Sequence, residues 1–328
     1  LEKTLDDVLK GSPGYIKYEK DYLGTPLPNG KVEMVPAVDG KDVTLTIDRD
    51  IQFFIEDALR KAYEQYQPIS ITAIAADPKT MDILGMASLP VFDPNNYWEA
   101  PDQSYFKNNA IQSVYEPGST FKIVTLAAAV EEGVFDPNEL YQSGSIRVDN
   151  KSKPIRDHNG RGWGEITFLD GLKYSSNVAF VKLGYEKLGA TKLLNYIRSF
   201  GFGEKTGIML PGELSGSIRV NERIPRDIAS VTFGQGPVLV TPLQQVRAVA
   251  AVANGGMLME PRLIRSITDR ETGEKQLFEP KVIRQVVSPQ TARKVGEYLE
   301  TVVSDQEIGT GKRAYIPGYR IAGKTGTA

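Results

Sequence analysis

The 328 residues are 41% hydrophobic and 24% charged with a formal net charge of −2, which are the proportions of a globular chain rather than a disordered one. A near-neutral balance without a long basic run argues against broad nucleic-acid or anionic-membrane binding. The absence of cysteine rules out thiol catalysis, disulfides and thiolate metal sites, and the single histidine, His158, leaves no multi-histidine metal site. A cysteine-free chain suits work outside the reducing cytosol. No run of about 18 apolar residues and no secretory signal occurs after Leu1-Glu-Lys3, so any membrane anchor is expected to lie outside this chain.

Residues 1–40, rich in Gly, Pro, Lys and Tyr, lack sustained periodicity and read as a linker or the remnant of an N-terminal domain. Order is expected from Val43 onward. Thr44 to Ile47 reads as a short strand, Asp48 as a cap, and Ile51, Phe54, Ile55, Ala58, Leu59 and Ala62 as one face of a helix that stops before Pro68. Ile69 to Ala76 and Met81 to Ala87, joined by the turn Asp77 to Thr80, form a predicted hairpin. The Asn-, Pro- and Tyr-rich stretch from Pro90 to Gln112 is a long surface connection.

After the turn Glu116-Pro-Gly118, the segment Phe121 to Val130 is apolar nearly all round, which predicts a buried helix. Ser119 at its start would meet free backbone N–H groups and the positive end of the helix dipole, both suited to a developing oxyanion. Lys122 lies one turn on, on the same face. Burial among Ile, Val, Leu and Ala would push its pKa toward the free amine that a proton acceptor needs. The bland alternative is a lysine that snorkels from a core helix. A Ser-x-x-Lys pattern is weak by itself, because Ser104-Tyr-Phe-Lys107 also satisfies it, in polar sequence with no apolar helix behind.

Thr167-Phe-Leu-Asp170 starts a helix in the manner of a capping box, and a second helix carries Val178, Val181, Tyr185 and Leu188 on one face until Gly189. Ser175 and Asn177 fall at the junction, where they could reach a cleft or serve only as turn residues. His158 follows Asp157, which raises a histidine-dependent hydrolase, but the polar context Arg156-Asp-His-Asn-Gly160 reads as a turn or surface histidine. Gly318 to Thr325 fits the phosphate-loop pattern letter for letter, yet Tyr319 and Ile321 alternate as in a strand, and no acidic strand follows. As an edge strand, Lys324 to Thr327 would present a cation, two hydroxyls and a backbone N–H to a cleft. Lys205-Thr-Gly207 is a lesser match to the same Lys-Thr-Gly triplet.

Ser119-Thr-Phe-Lys122, Tyr174-Ser-Ser-Asn177 and Ala322-Gly-Lys-Thr-Gly-Thr-Ala328 occur in that order, with 56 residues from Ser119 to Ser175 and 149 from Ser175 to Lys324. Together with Pro36 to Asp48, Phe200-Gly-Phe-Gly203, Gly234-Gln-Gly236 and Thr241-Pro-Leu-Gln244, these make the chain resemble the transpeptidase domain of class B penicillin-binding proteins, of the sporulation or elongation type. The resemblance implies an α+β fold of the penicillin-binding/β-lactamase kind, with a five-stranded antiparallel sheet flanked by helices. It assigns residues 41–328 to the transpeptidase domain. The central strands and C-terminal helix of that fold would follow Ala328, so a gap is expected between the strand pair near residues 69–87 and the Lys324 strand. A fragment ending there is expected to acylate poorly.

The resemblance also implies roles. Ser119 would attack the D-Ala-D-Ala carbonyl of a peptidoglycan stem peptide or a β-lactam ring, and Lys122 would accept its proton. The N–H groups of Ser119 and Thr327 would form the oxyanion hole. Ser175 would relay a proton to the departing amine within a network held by Lys122 and Lys324. Asn177 would bind the substrate amide, and Thr325, Gly326 and Thr327 the terminal carboxylate. No metal or organic cofactor is implied, and other wall-synthesis proteins are the expected partners, at the extracytoplasmic face of a bacterial membrane with a single N-terminal anchor in the full-length protein. A β-lactamase would be expected to show a Glu-x-x-Leu-Asn loop after Asn177. Glu213-Leu214 lacks the asparagine, so slow deacylation is expected. A non-catalytic β-lactam sensor remains the binding-class alternative, with phosphate-loop nucleotide binding a remote one.

Overall fold

The computed structural model describes residues 1–327, which divide into two compact units. The first comprises residues 1–46, 209–211 and 262–279. Within it, strands Tyr15–Tyr18 and Val32–Val35 pair antiparallel, with Tyr15 opposite Val35. Both strands are exposed on both faces. A strand with no buried face needs no alternation of apolar and polar residues, which is why no periodicity marks it in the sequence. Tyr15 Oη donates to Glu33 across this pair at 2.9 Å. Ile264–Thr268 lies between Asp42–Leu45 and Lys275–Leu277 in a three-stranded antiparallel sheet. The strand expected at 44–47 therefore begins two residues earlier. It ends where Thr46 N–H leaves the ladder to donate to Leu263 O.

The second unit opens with helix α1 (Arg49–Tyr66). The Asp48 carboxylate accepts from the N–H groups of Asp50 and Ile51, both at 3.0 Å, and Gln67 ends the helix in the left-handed region just before Pro68. Strands β1 (Ile71–Ala76) and β2 (Ile83–Leu89) form the expected antiparallel hairpin, Ile71 opposite Leu89. Helix α1 packs closely on β2. A Cβ at Gly85 would lie 2.7 Å from Ile55 Cδ1, so the strand carries no side chain there. On the edge of β2, the Gln52 side-chain amide donates to Met86 O at 3.1 Å and accepts from Met86 N–H at 2.8 Å, standing in for a strand neighbour. Asn109–Gln112, at the end of the expected surface connection, is a short helix whose first three residues are buried.

Helix α2 (Lys122–Glu131) runs through the core, with Lys122 to Ala129 all buried. A single turn of 3₁₀ helix, Gly118–Phe121, precedes it. Around it pack α3 (Phe168–Lys173), α4 (Asn177–Val181), helix Ala190–Ser199, α5 (Pro242–Ala253) and α6 (Pro289–Ser304), which bring Leu172, Phe180, Leu193, Ala251 and Val302 to one continuous apolar cluster. Thr167 caps α3, as expected, by accepting from Asp170 N–H at 3.0 Å. α4 widens into a π-helical segment, Lys182–Leu188, and Gly189 closes it at φ 82°. Thr241 and Gln244 complete a reciprocal capping box at the start of α5.

The mixture of helices and antiparallel strand pairs agrees with the expected α+β class. The expected edge strand at Lys324–Thr327 is a correction: residues 320–327 belong to no ladder. An alternating sequence can specify an extended backbone, but a strand also needs a neighbour, and among the described residues none is paired with this segment.

Candidate active site

The 3₁₀ turn at Gly118–Phe121 places Ser119 at the mouth of α2 and Lys122 one turn deeper. Gly118 has φ 55° and donates its N–H to Gly234 O at 2.9 Å. A Cβ on Gly234 would lie 2.3 Å from Gly118 O, so these two glycines permit backbone-to-backbone contact beside the serine. The α3–α4 junction supplies Ser175 in the left-handed region, at φ 59°, and Ser176 as the N-cap of α4. Gly326 lies against the same helix start: a Cβ there would be 2.8 Å from Thr120 Cγ2.

These segments converge. Ser119, Ser175, Asn177, Thr325 and Thr327 line one cavity of about 340 Å³, together with His158, Phe233, Gln235 and Thr310. Below it, the fully buried Lys122 amine donates to Ser175 O at 2.7 Å, to Asn177 Oδ1 at 2.9 Å and to Ser175 Oγ at 3.4 Å. Lys324 Nζ donates to the same Ser175 Oγ at 2.7 Å and to Thr325 O at 3.0 Å. One hydroxyl therefore sits between two amines. Burial and the charge on Lys324 push Lys122 well below the ordinary lysine pKa, against the opposing pull of Asp157. Burial brings Lys324 down to about 7. Two ammonium ions sharing one hydroxyl would repel, so the pair favours a state with at least one free amine near neutrality.

The hydrogen bonds of Lys122 run to Ser175 and Asn177, not to Ser119, whose hydroxyl has no hydrogen-bond partner among the described residues. A hydroxyl free of partners at a cavity wall is available to an incoming group, and catalytic hydrogen bonds commonly tighten only when substrate is bound.

The other sequence matches separate cleanly. Ser104 lies in a 3₁₀ turn, and Lys107 lines a different cavity beside Phe92 and Phe106. Thr206 and Gly207 of the second Lys-Thr-Gly are tied through their N–H groups to the buried Glu213 carboxylate, at 2.7 and 3.3 Å. Glu213 is thereby committed to a loop and lines no part of the cavity. Lys324 of the phosphate-loop match is bonded to Ser175 Oγ at 2.7 Å and so belongs with the serine cavity. His158 is an exposed turn residue as expected, but it also forms part of the cavity wall, which its polar context did not signal. The Asp157 carboxylate is bonded to Gly144, Ser176 and Val178, so it orients no histidine dyad. Phe233 and Gln235 flank a glycine that the Gly-Gln-Gly stretch had marked without a role. Thr310 carried no sequence signal, and its buried Oγ has no partner among the described residues.

A hydroxyl at a helix start with two depressed lysines and an amide around it is an arrangement suited to nucleophilic acyl transfer. The sequence model of the penicillin binding protein transpeptidase domain matches residues 71–328. The chain is 42% identical to stage V sporulation protein D of Bacillus subtilis over all of its own length and 50% of that relative's, and 34% identical to penicillin-binding protein PbpB of Mycobacterium tuberculosis over all of its length and 48% of that protein's. Among solved structures, penicillin binding protein 3 of Mycobacterium tuberculosis in complex with ampicillin superposes with a TM-score of 0.85 at 32% identity, covering 99% of this chain and 68% of the other. Penicillin binding protein 2X of Streptococcus thermophilus gives a TM-score of 0.85 at 30% identity, over 98% and 48%. The chain belongs to the penicillin-binding protein transpeptidase family and spans about half the length of the curated relatives it matches.

Proposed function

We propose that this chain is the catalytic part of a class B peptidoglycan D,D-transpeptidase, working at the extracytoplasmic face of a bacterial membrane to which the full-length protein is anchored N-terminally. The observation that carries the reading is the Ser175 hydroxyl held between Lys122 and Lys324 at the wall of the cavity that contains Ser119. Curated relatives named peptidoglycan D,D-transpeptidases support the substrate class.

Ser119 Oγ attacks the carbonyl of the D-Ala-D-Ala bond, and its proton passes to the free amine of Lys122. The N–H groups of Ser119 and Thr327 receive the oxyanion. As the tetrahedral species collapses, the C–N bond breaks and the departing amine takes a proton through Ser175. An amine of a neighbouring stem peptide then attacks the ester and releases Ser119. Asn177 holds the substrate amide, Thr325 and Thr327 hold the terminal carboxylate, and Lys324 holds the Ser175 hydroxyl. Gly326 leaves the space in which that segment can approach the Ser119 helix. A β-lactam follows the first half of this course, its ring C–N bond breaking in place of the peptide bond, and the ester is expected to persist because Glu213 is bonded to Thr206 and Gly207 and lines no part of the cavity.

The test is labelling of the full-length protein with a fluorescent penicillin, followed by mass mapping. The intact protein and Ser104→Ala should label at Ser119, and Ser119→Ala should not. Equal labelling of both variants would overturn the assignment. Tight ATP binding without labelling would favour nucleotide chemistry instead.

A further inference from the structure

The Ser175 backbone is in the left-handed region, at φ 59°, which non-glycine residues adopt only when the surroundings hold them there. The groups that do so meet at Asp157. Its Oδ1 accepts from Ser176 Oγ at 2.8 Å and from Val178 N–H at 3.1 Å, and its Oδ2 accepts from Gly144 N–H at 2.8 Å. Its own N–H donates to Gly144 O at 3.0 Å. Ser176 Oγ, fixed by Asp157, in turn accepts from Ala179 N–H at 3.1 Å. The preceding residue adds a second hold, because Arg156 O accepts from Asn177 Nδ2 at 3.0 Å while Lys122 donates to Asn177 Oδ1. Both residues flanking Ser175 on its C-terminal side are thus tied to the segment 156–157.

We propose that Asp157 is a positioning residue for acyl transfer, which clamps the Ser175-Ser176-Asn177 turn and sets the charge environment of the Lys122 amine without touching substrate. This inference rests on the reading of Ser119 as the acylated nucleophile.

Asp157 is buried, 2% exposed, and no cation lies within ion-pair distance of it among the described residues. A buried carboxylate satisfied only by neutral donors is an expensive way to secure a turn, and a need for the charge explains the choice of residue. An asparagine of the same shape would turn an NH₂ group toward one of the N–H or O–H donors, so one bond of the clamp depends on the second carboxylate oxygen. The negative charge also favours the ammonium that forms when Lys122 takes the proton of Ser119. The charged groups that face Lys122 are Lys324, which opposes that protonation, and Asp157, which favours it. The phenol of Tyr141 also feels the charge of Asp157, and burial keeps it neutral.

The experiment measures the second-order rate of penicillin acylation against pH for the full-length protein, Asp157→Asn, Ser176→Ala and the control Ser119→Ala. Asp157→Asn should acylate on the order of 10²-fold more slowly, the usual cost of a displaced catalytic group. Its acid limb should also move to lower pH, because Lys122 loses the charge that helps it hold a proton. Ser176→Ala should lose rate with the limb in place, since the carboxylate remains. Acylation of Asp157→Asn within about threefold of the parent rate would overturn the proposal. Slow acylation with an unmoved limb would overturn it too, as that marks a purely structural role. If Asp157→Asn loses its folded circular dichroism, Ser176→Ala decides: parental rates reject the clamp, and a loss of rate with retained fold supports it. A parent protein that fails to label at Ser119 would remove the acylation reading itself, a result separable from all of these.

Discussion

Lys122 and Lys324 differ in what surrounds them, and the difference sets their division of labour. Lys122 is sealed beneath the cavity, while Lys324 comes in from a segment with partial access to solvent. Replacing Lys324 by methionine removes the like charge that lowers the Lys122 pKa, so Lys122 should hold its proton to higher pH. The acid limb of acylation should accordingly move upward in the Lys324→Met variant, opposite in sign to Asp157→Asn. Stopped-flow penicillin acylation over a pH series reads both shifts. At Gly326 an alanine would bring its Cβ to 2.8 Å from Thr120 Cγ2, so Gly326→Ala should slow labelling at least tenfold while leaving the midpoint of urea unfolding nearly unchanged, about the size of surface substitutions. The residues that the structure gathers at and beneath the cavity were legible because each sits in a short pattern with a reason behind it: a serine at a helix start, a lysine where only apolar residues belong, a polar pair at a helix junction. Asp157, His158 and Thr310 were not, since their placement depends on loops folding back from remote sequence.

The elements obey the same division between local and remote causes. Helix α1 was legible at both ends because Asp48 and Pro68 act within one turn of it. The capping box of α5 is equally local, and Thr241→Ala should cost about 1 kcal/mol, read as a lower urea midpoint with unchanged slope. The start of α2 was readable only in outline. Sequence placed Ser119 at the helix mouth, whereas the 3₁₀ turn that aims it depends on Gly118 meeting Gly234, a contact across more than a hundred positions. The extended segment at 324–327 failed as a strand for a related reason, because pairing is a property of two segments and alternation is a property of one.

At the scale of the molecule, stability is distributed unevenly within each unit. In the second, α2 lies inside the apolar cluster, and residues Val124 and Leu126 to Ala129 are inaccessible to solvent. In the first, the Tyr15–Tyr18 and Val32–Val35 pair presents every residue to water. Amide hydrogen exchange should therefore run fast along that strand pair and slowest along α2, a contrast that mass spectrometry of peptic fragments resolves. Uniform protection across both would contradict this arrangement. No described helix is long and apolar enough to cross a membrane. Composition announced a folded chain from the start, but not the two-unit partition, in which residues 262–279 join the N-terminal residues from more than two hundred positions away.

The tight seat of Gly326 against Thr120 has a consequence for drug escape. If Ser119 is acylated as proposed, a lineage challenged with an acylating antibiotic cannot add even one carbon at Gly326 without pressing on the turn that carries Ser119. Resistance substitutions should instead accumulate on the walls, at His158 or Gln235, where bulk or charge can change while the reacting atoms stay in register.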